Sequence, residues 1–591
     1  MLVLLIHLKL WLPIGDPRFS QPDLDCSELV PRRFNAVGLL FCIIAFHLAW
    51  TLLASLSIAP TLTSFAWLLL GNMMLAPCFL AWTHKLWIYN GFRKLPIDRP
   101  WSTGAPQPAA DGLPSVAVVV PCRNEPLEVV RLTIESVLEL KYPKAKISLI
   151  VTDNSEDGHS ELKRLRHYIE ERQSCGINVS LLHRCSIEGF KAGNLDLAIK
   201  VISAELVLFL DVDNSVPADL LIMHATAFQQ DKGLAFLQFY NIPVSHPLGR
   251  VASATGNLLE RWKYEEFLRA DIGGWPSFQG HNCLWRTSVL KQIAPLNRSL
   301  FGRSLLVEDL HMTIRANQLG MHGRLIWSPA AFWTPMRLLD LESMLVRWCH
   351  GSLQVLFKEV TFLLSSRQGS LTLGGYVDLW DRLIGMRALS LFPFFLILLP
   401  QSVWGTGILV LSSLLISAIL PVFVIIKRPN TRPCQAKPTR SYILDIFLLG
   451  NFANWCDLRG IAEFLGPNRA RWVPTGKAPA SDQSGDLQKL TPFGQSMSHL
   501  CSTYRWPLAF YFSALIFFIL RQCHGPVSAA SLMSWIPLFG QAVAVLSAII
   551  IYGQEKPNSS KSLIETCSAR RWNYGHDINP LLASGAQHTN F

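Results

Sequence analysis

Residues 206–213 read LVLFLDVD, and the fold turns on these eight positions. Five apolar residues in a row, with no polar residue at helical spacing, suit a strand buried on both faces of a parallel sheet. Asp211 and Asp213 then stand at the carboxyl end of that strand, which is where open α/β sheets bind ligands. Upstream, 115–120 (SVAVVV), 147–151 (ISLIV) and 179–182 (VSLL) read as further strands, the second followed closely by Asp153. Helices are predicted between them at 127–140, 161–172 and 195–203, the first with Val130, Ile134, Val137 and Leu138 at helical spacing. Strand and helix alternate, so the expected class is α/β with a mostly parallel sheet. Two hard carboxylates spaced D-x-D can hold Mg²⁺ or Mn²⁺, and such a cation can neutralise a diphosphate. A solvated turn is the competing reading of that tripeptide.

The chain has 591 residues, 50% of them hydrophobic and 16% charged, against about 25% charged in soluble proteins. This excludes a disordered chain, and argues against a purely soluble enzyme. Thirteen cysteines occur with no C-x-x-C pair, so neither a zinc site nor a redox motif is indicated. The net charge of +11 is compatible with nucleic acid, an anionic membrane or a phosphorylated substrate.

The apolar residues decide among these. Runs at 35–57 and 62–82 are each long enough to cross a hydrocarbon core of about 30 Å. Arg32 and Arg33 precede them, and Lys85, Arg93 and Lys94 follow, which places both outer ends in the cytoplasm. Four more runs, 383–401, 405–426, 507–520 and 532–552, form two hairpins. The apolar stretch 442–465 carries Asp445, Asp457, Arg459 and Glu463 and is read as lying in the interface. Residues 1–14, broken by His7 and Lys9, read as an interfacial helix rather than a signal peptide. The expected plan is an interfacial segment with two transmembrane helices (1–100), a linker (101–114), a cytoplasmic α/β domain (115–357) and interface helices (358–382). A transmembrane hairpin (383–427), a cytoplasmic segment (428–505), a second hairpin (506–552) and a cytoplasmic tail (553–591) follow. The chain is thus expected to be a multi-pass protein of the cell or inner membrane.

PCRNEP (121–126), VTDNSEDG (151–158), KAGN (191–194), DVD (211–213), FQGHN (278–282), VED (307–309) and RW (347–348) occur in one order. That order resembles the family-2 glycosyltransferases of the cellulose-synthase type, over roughly 115–477. The resemblance implies an α/β GT-A glycosyltransferase domain inserted between transmembrane α-helical hairpins. It implies inverting transfer of a sugar, glucose first, from a UDP-sugar to the end of a growing β-glucan that is exported. Mg²⁺ or Mn²⁺ is the implied cofactor. Membrane lipids, accessory subunits or a second copy are the implied partners, and nucleic acid is not among them.

Matched motif by motif, the resemblance makes Glu125 and Asp153 contacts of the nucleotide base and Lys191 a contact of the diphosphate. Asp211 and Asp213 match the metal motif, with Asp213 the direct ligand. Phe278, Gly280, His281 and Asn282 match the acceptor-side loop. Asp309 matches the general base, and Glu308 beside it is expected to raise its pKa by like-charge repulsion. Arg347 suits a phosphate and Trp348 a terminal sugar. Residues 472–477 (WVPTGK) resemble a gating loop within 428–505, with Thr475 and Lys477 as its polar contacts.

Three departures stand out. Val307 replaces a threonine, Met344 replaces a glutamine that positions substrate, and RWCHG resembles synthases of β-1,2-glucans. The linkage is therefore open, as is an amino-sugar polymer. The rivals are a non-processive enzyme making a glycolipid, and a scaffold with a dead transferase domain.

Overall fold

The computed structural model describes residues 112–186, 188–244, 249–364, 371–398, 440–466, 503–523 and 529–553, with position 501 and scattered helical positions between 77 and 91. The segment 1–14, the runs 35–57 and 405–426 and the loop 472–477 lie outside the described residues.

Strand β1 (Val116–Cys122) explains the layering. Its side chains alternate between two cores, as pleating requires. Val116, Val118 and Val120 enter one core, with Val130, Ile134 and Val137 of α1 (Leu127–Leu138) and Leu165 and Ile169 of α2 (Ser160–Ser174). Ala117 and Val119 enter the other, with Leu195, Ala198 and Ile199 of α3 (Phe190–Val201). A strand buried on both faces has no polar positions, hence the uninterrupted apolar run.

β2 (Ile147–Asp153), β3 (Val179–His183) and β4 (Leu206–Phe209) extend β1 in parallel. Beyond β4 the sheet is mixed. With β5 (Asn214–Ser215), β6 (Leu234–Val244), β7 (Cys283–Arg286) and β10 (His322–Trp333), the strand order is β3-β2-β1-β4-β7-β6-β10-β5. β7 is antiparallel to both neighbours, and β6 and β10 are parallel. The antiparallel β7 brings the 278–282 loop to the edge where β4 ends. A small hairpin, β8 (Ser299–Leu300) with β9 (Arg303–Ser304), lies apart.

Two elements depart from expectation. Helix α3 begins at Phe190, not 195, behind Gly189 at φ 71°. Its first turn, Phe190 to Gly193, carries a lysine and a glycine in place of an apolar repeat, so apolar periodicity misses it. The boundary drawn at 357 falls inside one continuous helix. Short helices α4 (Leu220–His224) and α5 (Ala227–Gln230) precede the long α6 (Arg250–Asp271). α7 (Thr287–Ile293), α8 (Glu308–Gln318) and α9 (Leu338–Leu364) follow, then α10 (Leu373–Trp380), a π turn (Asp381–Gly385) and α11 (Met386–Leu398).

α12 (Arg440–Leu465), α13 (Arg505–Cys523) and α14 (Ala529–Tyr552) complete a helical layer. Leu258 of α6, Leu341 and Leu345 of α9, Leu449 and Phe452 of α12 and Val545 of α14 share one buried cluster. The charges of α12 find partners within the protein. Arg459 pairs with Glu342 at 2.8 Å and with Glu463 at 2.9 Å, and Asp457 accepts from Ser390 Oγ at 3.0 Å. Among the described residues one helix, Leu532–Tyr552, is long and apolar enough to cross a membrane.

β6 and β10 approach so closely that a Cβ at Gly323 would lie 2.1 Å from the Phe236 ring. Gly323→Ala is expected to destabilise the protein by about 1–3 kcal/mol, the usual range for overpacking. The check is the thermal midpoint in detergent.

Candidate active site

Three strand ends and two loops converge at the carboxyl edge of the sheet. At the end of β2, Asp153 is 2% exposed. Its Oδ1 accepts from Ser155 N at 3.0 Å and lies 2.9 Å from His183 Nδ1, and its Oδ2 accepts from Ser155 Oγ at 2.7 Å. Asp153 is thus built into its loop, and a nucleotide reaching it must displace one of these partners. Across from it, Asn124 (φ 55°) donates from N to Ser155 Oγ at 2.8 Å. Glu125 is half-buried in the same loop and accepts from Arg123 N.

The centre of the site is Lys191, in the first turn of α3. Its Nζ donates to Asp211 Oδ1 at 2.5 Å and to the Gly280 carbonyl at 2.9 Å. Gly280 has φ 89° and faces Asp309: a Cβ there would sit 3.4 Å from Asp309 Oδ2 and 3.8 Å from Lys191 Nζ. The missing side chain leaves one small space bounded by an ammonium, a carboxylate and a backbone carbonyl. Left-handed φ values at Asn124, Phe190 and Asn282 mark strained backbone around it, which surrounding structure must hold in place.

α9 closes the site from the helical side. A Cβ at Gly351 would come 2.8 Å from both Val307 methyls. This close approach of α9 to the start of α8 accounts for an apolar Val307, and it brings Arg347 under the influence of Glu308, Asp309 and Asp211.

Carboxylates outnumber cations here, and their pKa values show it. Burial raises Asp213 to about 7, with Asp211 repulsion adding to it. Asp211 itself is lowered, because Lys191, with Arg347 behind it, outweighs its burial. Two carboxylates with one lysine between them fit a divalent cation, whose charge would remove that repulsion. Among the described residues no three His, Cys, Asp or Glu side chains converge on such an ion. The cation would then rely on Asp211 and Asp213 and on oxygens of the donor and water, as Mg²⁺ and Mn²⁺ commonly do.

Asp309 is raised, and the cause is burial. The Leu310 N–H, Lys191, Lys263 and Arg347 pull it back down. Glu308 is raised as well, by burial and by repulsion from Asp309, so the two neighbouring carboxyls both sit above the usual range. Lys191 stays charged because Asp211, Glu308 and Asp309 outweigh its burial.

The structure thus brings Lys191, Asp211, Asp213, Gly280, His281, Glu308, Asp309 and Arg347 together. Phe278 and Asn282 do not present themselves to a sugar. Phe278 is 2% exposed among Phe209, Phe236 and Trp285, and Asn282 is fully buried, donating to Asn241 Oδ1 at 2.8 Å. They hold the loop from beneath. Trp348 is half-buried against two apolar clusters, and Met344 packs into one of them. Thr475 and Lys477 lie outside the described residues.

Three participants escape the motif reading. His183 bridges Asp153 and Asp157 at 2.9 Å each, and the strand-end rule that found Asp153 would have found it. Asn214 Nδ2, just after D-V-D, lies 2.6 Å from His281 Nδ1 and sets that ring. Burial pushes His281 down to about 3, so the ring is neutral. Lys263 of α6 carries no local sequence signal.

Residues 114–332 match the family described as "Glycosyltransferase like family 2". Cellulose synthase 1 of Komagataeibacter xylinus is 27% identical over 267 residues, covering 42% of this chain and 15% of that protein. The cellulose synthase 1 catalytic subunit [UDP-forming] of the same organism is 26% identical over 306 residues, covering 49% and 36%. The chain therefore spans well under half the length of the curated relatives it matches. Among solved structures, the mannosyltransferase PcManGT from Pyrobaculum calidifontis in complex with GDP-Man and Mn²⁺ superposes with a TM-score of 0.41 at 17% identity, covering 67% of this chain and 97% of that one. The family match, the partial likeness to cellulose synthases and the order of the seven motifs agree: residues 114–332 are a domain of the glycosyltransferase-like family 2, similar over part of its length to cellulose synthases.

Proposed function

We propose that this protein is a membrane-embedded inverting glycosyltransferase that passes a sugar, glucose first, from a UDP-sugar to the terminal hydroxyl of a growing β-glucan and helps to export it. The observation that carries the reading is the space over Gly280, with Asp309 Oδ2 on one side and Lys191 Nζ on the other. Acid–base chemistry on an acceptor hydroxyl and charge neutralisation of a departing diphosphate are wanted within one sugar's width of each other.

In this reading Lys191 and Arg347 hold the diphosphate, and Glu125 and Asp153 face the nucleotide base. Asp309 accepts the proton of the acceptor hydroxyl as it attacks the anomeric carbon in line. One displacement turns an α-linked donor into a β-linked product. Asp211 and Asp213 would hold a divalent cation, which would supply Lewis-acid stabilisation of the leaving diphosphate. Trp348 and His281 flank the acceptor, and Thr475 and Lys477 cover the nucleotide.

Membrane embedding is supported by an apolar surface on the helical layer. Trp506, Phe512 and Phe517 of α13 and Val543 of α14 are each more than half exposed. The 21 residues of Leu532–Tyr552 span about 32 Å at 1.5 Å per residue, matching a hydrocarbon core.

The defining experiment incubates lipid-reconstituted protein with UDP-glucose, UDP-N-acetylglucosamine and UDP-glucuronate, then determines product length and linkage. Long β-linked glucan from UDP-glucose is expected. A short lipid-linked product would overturn processivity, and an amino-sugar polymer or β-1,2 linkage would redefine the product. Asp309→Asn is expected to lower kcat by about 10²–10⁴ while donor affinity, measured by calorimetry, is retained.

The sign of the pH dependence follows from the raised carboxyl. A base must be ionised, so kcat/KM should climb with pH through an acid limb above the usual aspartate value of about 3.9. Lys263 lowers Asp309, so Lys263→Met should move that limb to higher pH; an unmoved limb would assign it elsewhere. Asp213→Asn should weaken Mn²⁺ binding, followed by electron paramagnetic resonance, by at least the roughly 10- to 100-fold that loss of an outer-shell partner costs.

A further inference from the structure

The helical positions between 77 and 91 lie against residues 374–388 and Ile272. Cys78 Sγ donates to the Ala388 carbonyl at 3.2 Å. A Cβ on Gly385 would come 3.2 Å from Ala81 Cβ, and one on Gly374 3.2 Å from the Trp87 ring. The Ile272 side chain covers Gly91. Positions 78, 81, 84, 87/88 and 91 form one helical stripe, and it packs against α10, the π turn and α11.

His84 sits in the middle of that stripe with a fully buried side chain. Its Nε2 is 3.2 Å from Asp378 Oδ1 and its Nδ1 is 3.0 Å from Asp381 Oδ2, both off the in-line hydrogen-bond direction. Both carboxylates are buried, and an ionised carboxylate out of water needs a positive partner. Asp378 has a second one, Arg269 NH1 at 2.8 Å. Asp381 depends more on His84: its Oδ1 has no hydrogen bond among the described residues, and Lys85 and Arg269 act on it less strongly. The two aspartates outweigh burial and raise the imidazole pKa, consistent with a charged ring.

The same short stretch grips the segment leading into the acceptor loop. Asp378 Oδ2 accepts from Trp275 N at 2.9 Å. Arg382, next to Asp381, donates to Ser277 Oγ at 3.0 Å and pairs with Glu266 at 2.9 Å, while Ser277 Oγ donates to Glu266 at 2.7 Å. Phe278 N donates to Thr313 Oγ1, which donates to the Asp309 carbonyl. Residues 275, 277 and 278 are thus pinned, and Gly280 follows two residues later.

We propose that His84 is a positioning residue for the acceptor loop: its positive charge holds Asp378 and Asp381, and through them it fixes residues 275–278 and the placement of Gly280 and His281. Without it, Asp381 carries a stranded charge beside Arg382, and competes with Glu266 and Ser277 for that guanidinium. Release of Ser277 lets the loop shift relative to Asp309. The assignment rests on reading 278–282 as the acceptor side.

The test uses the full chain in lipid. His84→Gln is expected to lower transfer to acceptor by about 10- to 100-fold, the scale of a 1 Å misplacement, with donor affinity unchanged. The double variant His84→Gln/Asp381→Asn, which removes the stranded charge, is expected to regain most of the lost transfer. Amide-hydrogen protection at 275–282 should fall in the single variant and return in the double, a readout that needs no substrate. A His84→Gln protein that transfers like wild type, that loses donor affinity in proportion, or that the second change fails to rescue overturns the assignment. If the single variant does not fold, the double decides alone: it must fold and transfer, and failure in either overturns the proposal. Wild-type protein that transfers no sugar overturns the proposed function instead, and the exchange pattern still judges His84.

Discussion

One ammonium group ties the site together. Lys191 Nζ binds Asp211 at the end of β4 and the Gly280 carbonyl in the loop before β7, so two strands of opposite direction are fixed at one point. The contact dictates local chemistry upstream. α3 must start early enough to place Lys191 at its first turn, and it does so behind Gly189 at φ 71° with Phe190 at φ 48°. A non-glycine residue held there costs on the order of 1–3 kcal/mol, so the surrounding packing has to hold it. Gly193 belongs to the same constraint: a Cβ there would meet the Glu188 carbonyl at 2.4 Å. The glycine of K-A-G-N is thus required by the turn that aims the lysine.

The parallel half of the sheet was legible because burial on both faces leaves strands with no polar residues. Asp153, Asp211 and Asp213 were legible for the complementary reason, since a charged residue ending such a run has to be at an edge. The mixed half was not. β10 reads HGRLIWSPAAFW, with polar residues and a proline, and its pairing with β6 shifts register twice. α6 buries Glu260, Glu265, Glu266 and Arg269, which defeats any search for an apolar stripe. Phe278 and Asn282 show a further limit. A motif marks residues that a loop needs, without separating those that touch substrate from those that hold the loop.

Buried charge explains more than the missed helix. A composition with 16% charged residues suggests few ionic interactions, yet the seam between sheet and helical layer is built from them. Arg269 pairs with Asp378 at 2.8 Å and Arg382 with Glu266 at 2.9 Å, and both pairs are largely withdrawn from water. Such pairs contribute little net stability relative to apolar packing, but breaking one partner is costly. They therefore specify which surfaces meet. Apolar contacts alone would let two helices slide; a carboxylate that must find one guanidinium does not.

That specificity matters because the site has no floor of its own. α9 gives Arg347 to the site and, directly before it, Leu345 and Val346 to the cluster shared with α12 and α14. At 27 residues it is a single rod of about 40 Å. Further along, its Leu353, Val355 and Leu363 pack with Val307 and Leu310 beneath the expected base and with Tyr376 and Leu383. A sheet domain cut from the chain near 357 would split this rod and expose both clusters. The mixed sheet supplies the carboxyl edge, and the helical layer supplies the wall beside it. Any motion of that layer must therefore be felt at Arg347.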